Sequence, residues 1–165
     1  MPVARAAADP SSTLAPLVVE VTVPAPPGRA FDYFTRDIAR WWPLGMHSVG
    51  RHDAASVAFE GRVGGRLVET TRDGTRCTWG SVEAWEPGKR VRFSWHPGRD
   101  AATAQWVEVT FVAVPGGTRV RLTHGGWDAL DEQAASTRAN YVGGWALVFS
   151  ERYGGYCSRE ARPAG

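Results

Sequence analysis

The first patterned stretch of the chain is Leu17-Val18-Val19-Glu20-Val21-Thr22-Val23, a run rich in β-branched residues that stops at Pro24. It predicts a strand followed by a proline turn. Beyond Pro26-Pro27-Gly28, the residues Ala30, Phe31, Phe34, Ile38, Trp41 and Trp42 fall near three- and four-residue spacing, which predicts one or two short amphipathic helices. Pro43 ends them, because it lacks an amide hydrogen and clashes with the preceding turn. From Ser56 to Thr123 the pattern changes to short strands. Breaks at Gly64-Gly65, Asp73-Gly74, Pro87-Gly88, Pro97-Gly98 and Pro115-Gly116-Gly117 separate the candidates Val57 to Glu60, Arg66 to Thr71, Arg76 to Trp85, Arg90 to His96, Gln105 to Val114 and Thr118 to His124. With the first strand this makes seven, at the spacing of an antiparallel sheet. A loop over 125–131 then leads into Ala134 to Arg152, where Tyr141, Trp145, Val148 and Phe149 share one helical face. The order reads as an α+β domain closed by a long C-terminal helix.

Period two assigns the strand faces. Val91, Phe93 and Trp95 oppose Arg90, Arg92 and Ser94; Val120, Leu122 and His124 oppose Arg119, Arg121 and Thr123; Leu67, Glu69 and Thr71 oppose Arg66, Val68 and Arg72. The apolar sets face the core, which puts Glu69 and His124 on the interior side. For Arg76 to Trp85 neither set is apolar, and the pattern assigns no face. Gly143 and Gly144 stand within the C-terminal helix, where each costs about 0.8–1 kcal/mol relative to Ala. Either the helix backbone comes close to the sheet or a ligand there, or the pair is a tolerated kink.

At 165 residues the chain is long enough for one domain with a core and room for a cavity. The expected division is a flexible tail over 1–15, a single domain over 16–157 and a short tail over 158–165. Nineteen basic against 17 acidic side chains leave a net charge of +2, with the arginines scattered rather than clustered. No nucleic-acid partner is expected. Cys77 and Cys157, the only cysteines, offer neither a disulfide framework nor a zinc spacing. Both read as core residues, since no partner is placed to activate a thiol. No apolar segment suits a signal peptide or a membrane span, so a cytoplasmic protein is expected. The unusual feature is eight tryptophans, which make either the core or a pocket aromatic.

The motifs carry this further. Phe31-Asp32-Tyr33-Phe34-Thr35 with Trp41-Trp42, Phe59-Glu60-Gly61-Arg62-Val63-Gly64-Gly65-Arg66 with Glu69, and Trp79-Gly80-Ser81-Val82 follow one another in order. Trp85-Glu86-Pro87, Phe93-Ser94-Trp95, Val107 to Phe111, Gly117 to Val120, His124-Gly125-Gly126-Trp127 and Gly144-Trp145 continue the series. In this succession the chain resembles the SRPBCC (START/Bet v1-like) superfamily, close to its Activator of Hsp90 ATPase homologue 1-like branch, from about Val18 to Arg152. The resemblance implies a helix-grip fold: a seven-stranded curved antiparallel sheet wrapped around the C-terminal helix, with two short helices after the first strand and an apolar cavity inside. It implies less about function, because its relatives include lipid carriers, polyketide cyclases, a self-sacrificing resistance protein and a stimulator of a chaperone ATPase.

No HExxH, nucleophile elbow, Walker A loop or dinucleotide fingerprint is present, and neither metal nor cofactor is expected. The expected activity is binding of a small hydrophobic or aromatic molecule in an internal cavity, as carrier or sensor. The expected ligand-binding residues are Phe34, Trp41, Trp42, Phe59, Glu69, Trp79, Phe93, Trp95, His124, Tyr141, Trp145 and Phe149. Any of the aromatic ones can equally be core. A cyclase- or hydrolase-type enzyme using Glu69 and His124 as acid/base groups is the alternative. A chaperone-linked interaction module follows from the family name alone.

Overall fold

The alternation of apolar and polar positions from Leu17 onward is realised as one seven-stranded antiparallel sheet. The strands are β1 (Leu17–Val23), β2 (Ala54–Phe59), β3 (Arg66–Thr71), β4 (Arg76–Glu86), β5 (Arg90–Trp95), β6 (Gln105–Val114) and β7 (Gly117–Gly125). Their order across the sheet is β1-β7-β6-β5-β4-β3-β2. This computed structural model describes residues 14–161, so 1–13 and 162–165 of the expected tail segments lie outside the described residues, while 158–160 continue the C-terminal helix. Two short helices, α1 (Pro27–Thr35) and α2 (Ile38–Trp41), follow β1. The C-terminal helix begins as α3 (Ala134–Trp145), passes through a π-helical stretch (Ala146–Tyr153) and ends as α4 (Gly154–Glu160). The sheet curls around it in a helix-grip fold.

Register explains which side of the sheet is apolar. Val91 lies opposite Val109, which lies opposite Leu122, while Phe111 pairs with Val120; all are buried. The outer face carries a ladder of ion pairs, Arg90 with Glu86 and Glu108, Arg92 with Glu83, and Arg121 with Glu20. Each is solvated and contributes at most about 1 kcal/mol. The strand whose parity gave no answer, β4, contains two bulges. Trp79 is the extra residue between the Leu67–Gly80 and Val68–Thr78 pairs, and Glu83 the extra residue between Val82–Phe93 and Ala84–Arg92. A bulge places two residues opposite one and shifts the phase of the alternation. Cys77, Gly80, Val82 and Trp85 are therefore register partners of the inward residues Glu69, Leu67, Phe93 and Val91, a set no single period connects.

The deep core is aromatic. Phe34 packs against Trp41, Phe149 and Tyr153, Phe31 against Trp85 and Phe111, and Phe59 against Phe93, with ring centroids 5.2–6.3 Å apart. Two polar tips are satisfied by backbone, Tyr153 Oη donating to the Ala30 carbonyl (2.7 Å) and Trp41 Nε1 to that of Tyr33 (2.8 Å), whereas the buried Trp127 indole N–H has no partner among the described residues. Burial drives the Cys157 pKa up to about 12, so this thiol is an inert core group. The expected loop over 125–131 is instead largely ordered as a 3-10 turn, Trp127–Gln133, entered through Gly126 in the left-handed region at φ 83°. Trp127 draws it inward by stacking on His124 at 4.1 Å.

Candidate functional site

Above the deep core, between the C-terminal helix and the open end of the sheet, lies a cavity of about 430 Å3. Each wall follows from a local feature of the sequence. Trp42 projects from the end of α2, where Pro43 stops the helix. Trp79 comes from the β4 bulge and Trp95 from the last residue of β5, before the Pro97-Gly98 turn. Tyr141, Gly144, Trp145 and Val148 come from one face of the C-terminal helix, and the loop after α2 adds His47, Ser48, Val49 and Arg51 as a roof. Asn140 completes the rim.

The four indole N–H groups are all spent on protein. Trp42 donates to the His47 carbonyl (2.6 Å), Trp79 to Glu69 Oε1 (2.9 Å), Trp95 to Tyr141 Oη (2.8 Å) and Trp145 to His124 Nδ1 (3.0 Å). These bonds fix ring orientation, and the rings contact one another at centroid distances of 5.2–6.0 Å. The Tyr141 hydroxyl accepts from Trp95, and its own proton has no protein acceptor among the described residues. Burial raises its pKa above the ordinary tyrosine value, so the group remains a donor at neutral pH. The cavity thus offers π surface and one phenolic O–H.

Gly144 leaves part of this space open. A Cβ built there would meet no atom within 4 Å, and the same holds for Gly143, which is exposed. Neither glycine marks a close approach of the helix to the sheet. At Gly144 the missing side chain enlarges the cavity, and the helix leaves regular α geometry at Ala146, two residues later.

Of the residues expected at a ligand site, Trp42, Trp79, Trp95, Tyr141 and Trp145 are brought together around the cavity. Phe34, Trp41, Phe59, Phe93 and Phe149 are not: Phe34, Trp41, Phe93 and Phe149 fill the buried aromatic core beneath it, and Phe59, only partly buried, packs against the edge of that core. Glu69 and His124 face inward as parity required and are fully buried, yet both stand behind the walls rather than on them. Glu69 accepts three bonds. Its Oε1 takes Val49 N–H (2.9 Å) and the Trp79 indole (2.9 Å), and its Oε2 takes Gly50 N–H (2.7 Å). Three donors and no acceptor are the partner set of a carboxylate, and two of the donors belong to the roof loop. A side chain at position 50 would put its Cβ 2.9 Å from Glu69 Oε2, which explains the glycine.

His124 holds a different chain. Since an indole N–H only donates, His124 Nδ1 must carry a lone pair, and Nε2–H then donates to Gln105 Oε1 (3.2 Å). Gln105 Nε2 in turn donates to the Thr103 carbonyl (2.8 Å). Burial pushes the His124 pKa down to about 3, so the ring is neutral at physiological pH. Glu69 and His124 share no partner. Among the described residues, no three His, Cys, Asp or Glu side chains come together in a way that could hold a metal ion.

Sequence reasoning did not single out the roof residues Ser48, Val49 and Arg51, nor Pro97, Gly98 and Asn140. They lie in irregular loops or on a helix edge, where no period marks an inward face. The available signal was a glycine-bounded segment, Gly45 to Gly50, carrying the apolar Met46 and Val49 in an otherwise polar loop; both side chains are about half exposed.

With this geometry the comparisons with known proteins agree. The sequence model described as Activator of Hsp90 ATPase homolog 1-like protein matches residues 24–151. No curated protein matches the chain significantly. Among solved structures, an anthrahydroquino-gamma-pyrone synthase, Txn09, is 32% identical, with a TM-score of 0.54 over 74% of this chain and 84% of that one. An AHSA1-like protein from Aeromonas hydrophila has a TM-score of 0.61 at 19% identity, covering 91% of this chain and 97% of its own. DynU16, from the dynemicin biosynthetic locus, has a TM-score of 0.59 at 19% identity over 87% of this chain and 47% of that one. The last two establish the fold alone. No helix among the described residues is long and apolar enough to cross a membrane.

Proposed function

The chain belongs to the Activator of Hsp90 ATPase homolog 1-like family of the SRPBCC superfamily, and on that footing we propose that it binds a small planar aromatic compound in the cavity beneath the roof loop. The observation that carries this reading is the wall itself: four indoles with their N–H groups already committed, and one phenol whose proton is free. Such a wall recognises flat π surface together with a single hydrogen-bond acceptor, such as a carbonyl or phenolic oxygen.

A second reading, a cyclase that folds a reactive aromatic precursor, is favoured by the 32% identity to a synthase whose named product is an anthrahydroquinone-type pyrone. On that reading catalysis rests on confinement and on the Tyr141 O–H polarising a carbonyl. Glu69 and His124 are poor candidates for acid/base work, because their acceptor and donor sites are committed to protein partners. The chaperone association in the family name has no observation of this chain behind it.

Titration with 2-naphthol or 1,8-dihydroxyanthraquinone is expected to quench tryptophan emission and raise Tm. A ligand at a hundred times its Kd stabilises the native state by about 2.7 kcal/mol. Gly144→Val should weaken this binding at least tenfold by occupying open cavity, whereas Gly143→Ala should leave it unchanged and stabilise the helix by about 0.8–1 kcal/mol. Unaltered emission and Tm across both compounds would remove the basis of the reading. Equal affinity in Gly144→Val would move the ligand elsewhere.

A further inference from the structure

The roof loop carries a feature that aromatic binding alone does not use. Among the described residues lining the cavity, Arg51 is the only side chain with a permanent charge, and none is acidic. Most arginines of the sheet are paired with carboxylates; Arg51 makes no ion pair and no side-chain hydrogen bond among the described residues. Its backbone is held at φ 52°, a left-handed conformation that a residue with a long side chain adopts only when its surroundings impose it.

The surroundings are identifiable. Glu69 anchors the two preceding amides, Val49 and Gly50, from inside the fold. Ser48 Oγ accepts the Arg51 N–H (2.8 Å), and Asp53 N–H closes the turn onto the Gly50 carbonyl (3.0 Å). On the far side, the Asp53 carbonyl accepts the Arg72 N–H (2.9 Å), tying the end of the loop to β3. The loop is thus pinned before and after Arg51, leaving an unpartnered guanidinium at the mouth of an apolar cavity.

Resting on the aromatic-binding reading above, we propose that the ligand is an anionic aromatic, a planar ring system bearing a carboxylate or an ionised phenol, with Arg51 as the residue that selects it and Glu69 as the residue that positions Arg51. The ring lies against the indoles and the negative group faces the roof. Arg51 is solvent-exposed, so its pairing with a carboxylate is worth at most about 1 kcal/mol, or about fivefold in affinity, and its planar fork, free of any protein carboxylate, makes that pairing bidentate.

The test uses an isosteric pair, naphthalene-2-carboxylate and naphthalene-2-carboxamide, titrated by tryptophan quenching at pH 7.5. The carboxylate is expected to bind about three- to fivefold more tightly than the amide. Raising the salt from 0.05 to 0.5 M should erode that preference and leave the amide affinity unchanged. In Arg51→Asn, where asparagine accepts the left-handed backbone, the two probes should bind within twofold of each other, and Arg51→Lys should retain part of the preference. Unliganded Tm values confirm that each variant is folded. Equal binding of the two probes by the unaltered chain, or a preference that persists in Arg51→Asn, overturns the assignment to Arg51 while the aromatic cavity stands. Failure of both probes to bind overturns the aromatic reading and this inference with it.

Discussion

Glu69→Ala should lower Tm by roughly 10 °C and weaken aromatic binding more than tenfold. Alanine would strip the acceptor from three N–H groups. One is the indole of Trp79, which is fully buried and has no other partner. The other two are the Val49 and Gly50 amides, which regain water only if the roof loop leaves its seat. A buried donor without an acceptor costs about 1–3 kcal/mol, which puts the total near 3–5 kcal/mol with partial relief at the loop. At about 2–4 °C per kcal/mol for a domain of this size, the shift is near 10 °C. Glu69→Gln should fall between, since its amide oxygen still accepts while its NH2 confronts a backbone N–H. Thermal melts and probe titrations at several pH values decide the role. An acid or base would reshape the pH profile of any turnover, whereas a structural clasp lowers affinity and Tm together at every pH. A Tm change under about 2 °C in Glu69→Ala would show that the loop is held by something else.

Strand parity identified Glu69 and His124 as inward polar residues because each is two residues on from an inward leucine, Leu67 in β3 and Leu122 in β7. The burial alternates cleanly along β7 as far as His124, whereas in β3 Val68, assigned to the outer face, is buried as well. Parity could not identify the partners of Glu69 and His124. Those come from a loop 20 residues upstream, a neighbouring strand and the C-terminal helix, and each contact is set by tertiary packing rather than by spacing. The same limit applies to the aromatics. Phe34, on the inner face of α1, and Trp42, the residue that ends α2, are both buried aromatics, yet one fills solid core and the other faces a cavity. Hydrophobicity marks what is buried, not whether the neighbouring volume is filled. In β4 the two bulges broke the period that the reading relied on. In the helix the Gly143-Gly144 pair was visible as an energetic anomaly, but only the empty space beside Gly144 showed what the anomaly serves.

The second large effect is acid destabilisation through His124. In the folded protein its pKa lies at about 3, held down by burial, against an ordinary value of 6.5. Both ring nitrogens are committed in the neutral form, and a protonated Nδ1 would meet the Trp145 indole N–H, donor against donor. The sign follows from proton counts. Above pH 6.5 neither state binds the proton, and the contribution of the neutral ring is complete. Between 6.5 and about 3 the unfolded chain takes up a proton that the folded chain refuses, so stability falls with pH by up to about 1.4 kcal/mol per unit. The expected loss is about 2 kcal/mol between pH 7.5 and pH 5, measured by urea unfolding at each pH. In His124→Phe that slope should vanish, on a baseline already lowered by about 2–3 kcal/mol because the Trp145 N–H and the Gln105 carbonyl oxygen lose their partner. A slope equal in the two proteins would mean that His124 accepts its proton without cost, and that the hydrogen-bond chain from Trp145 to Thr103 does not hold the ring neutral.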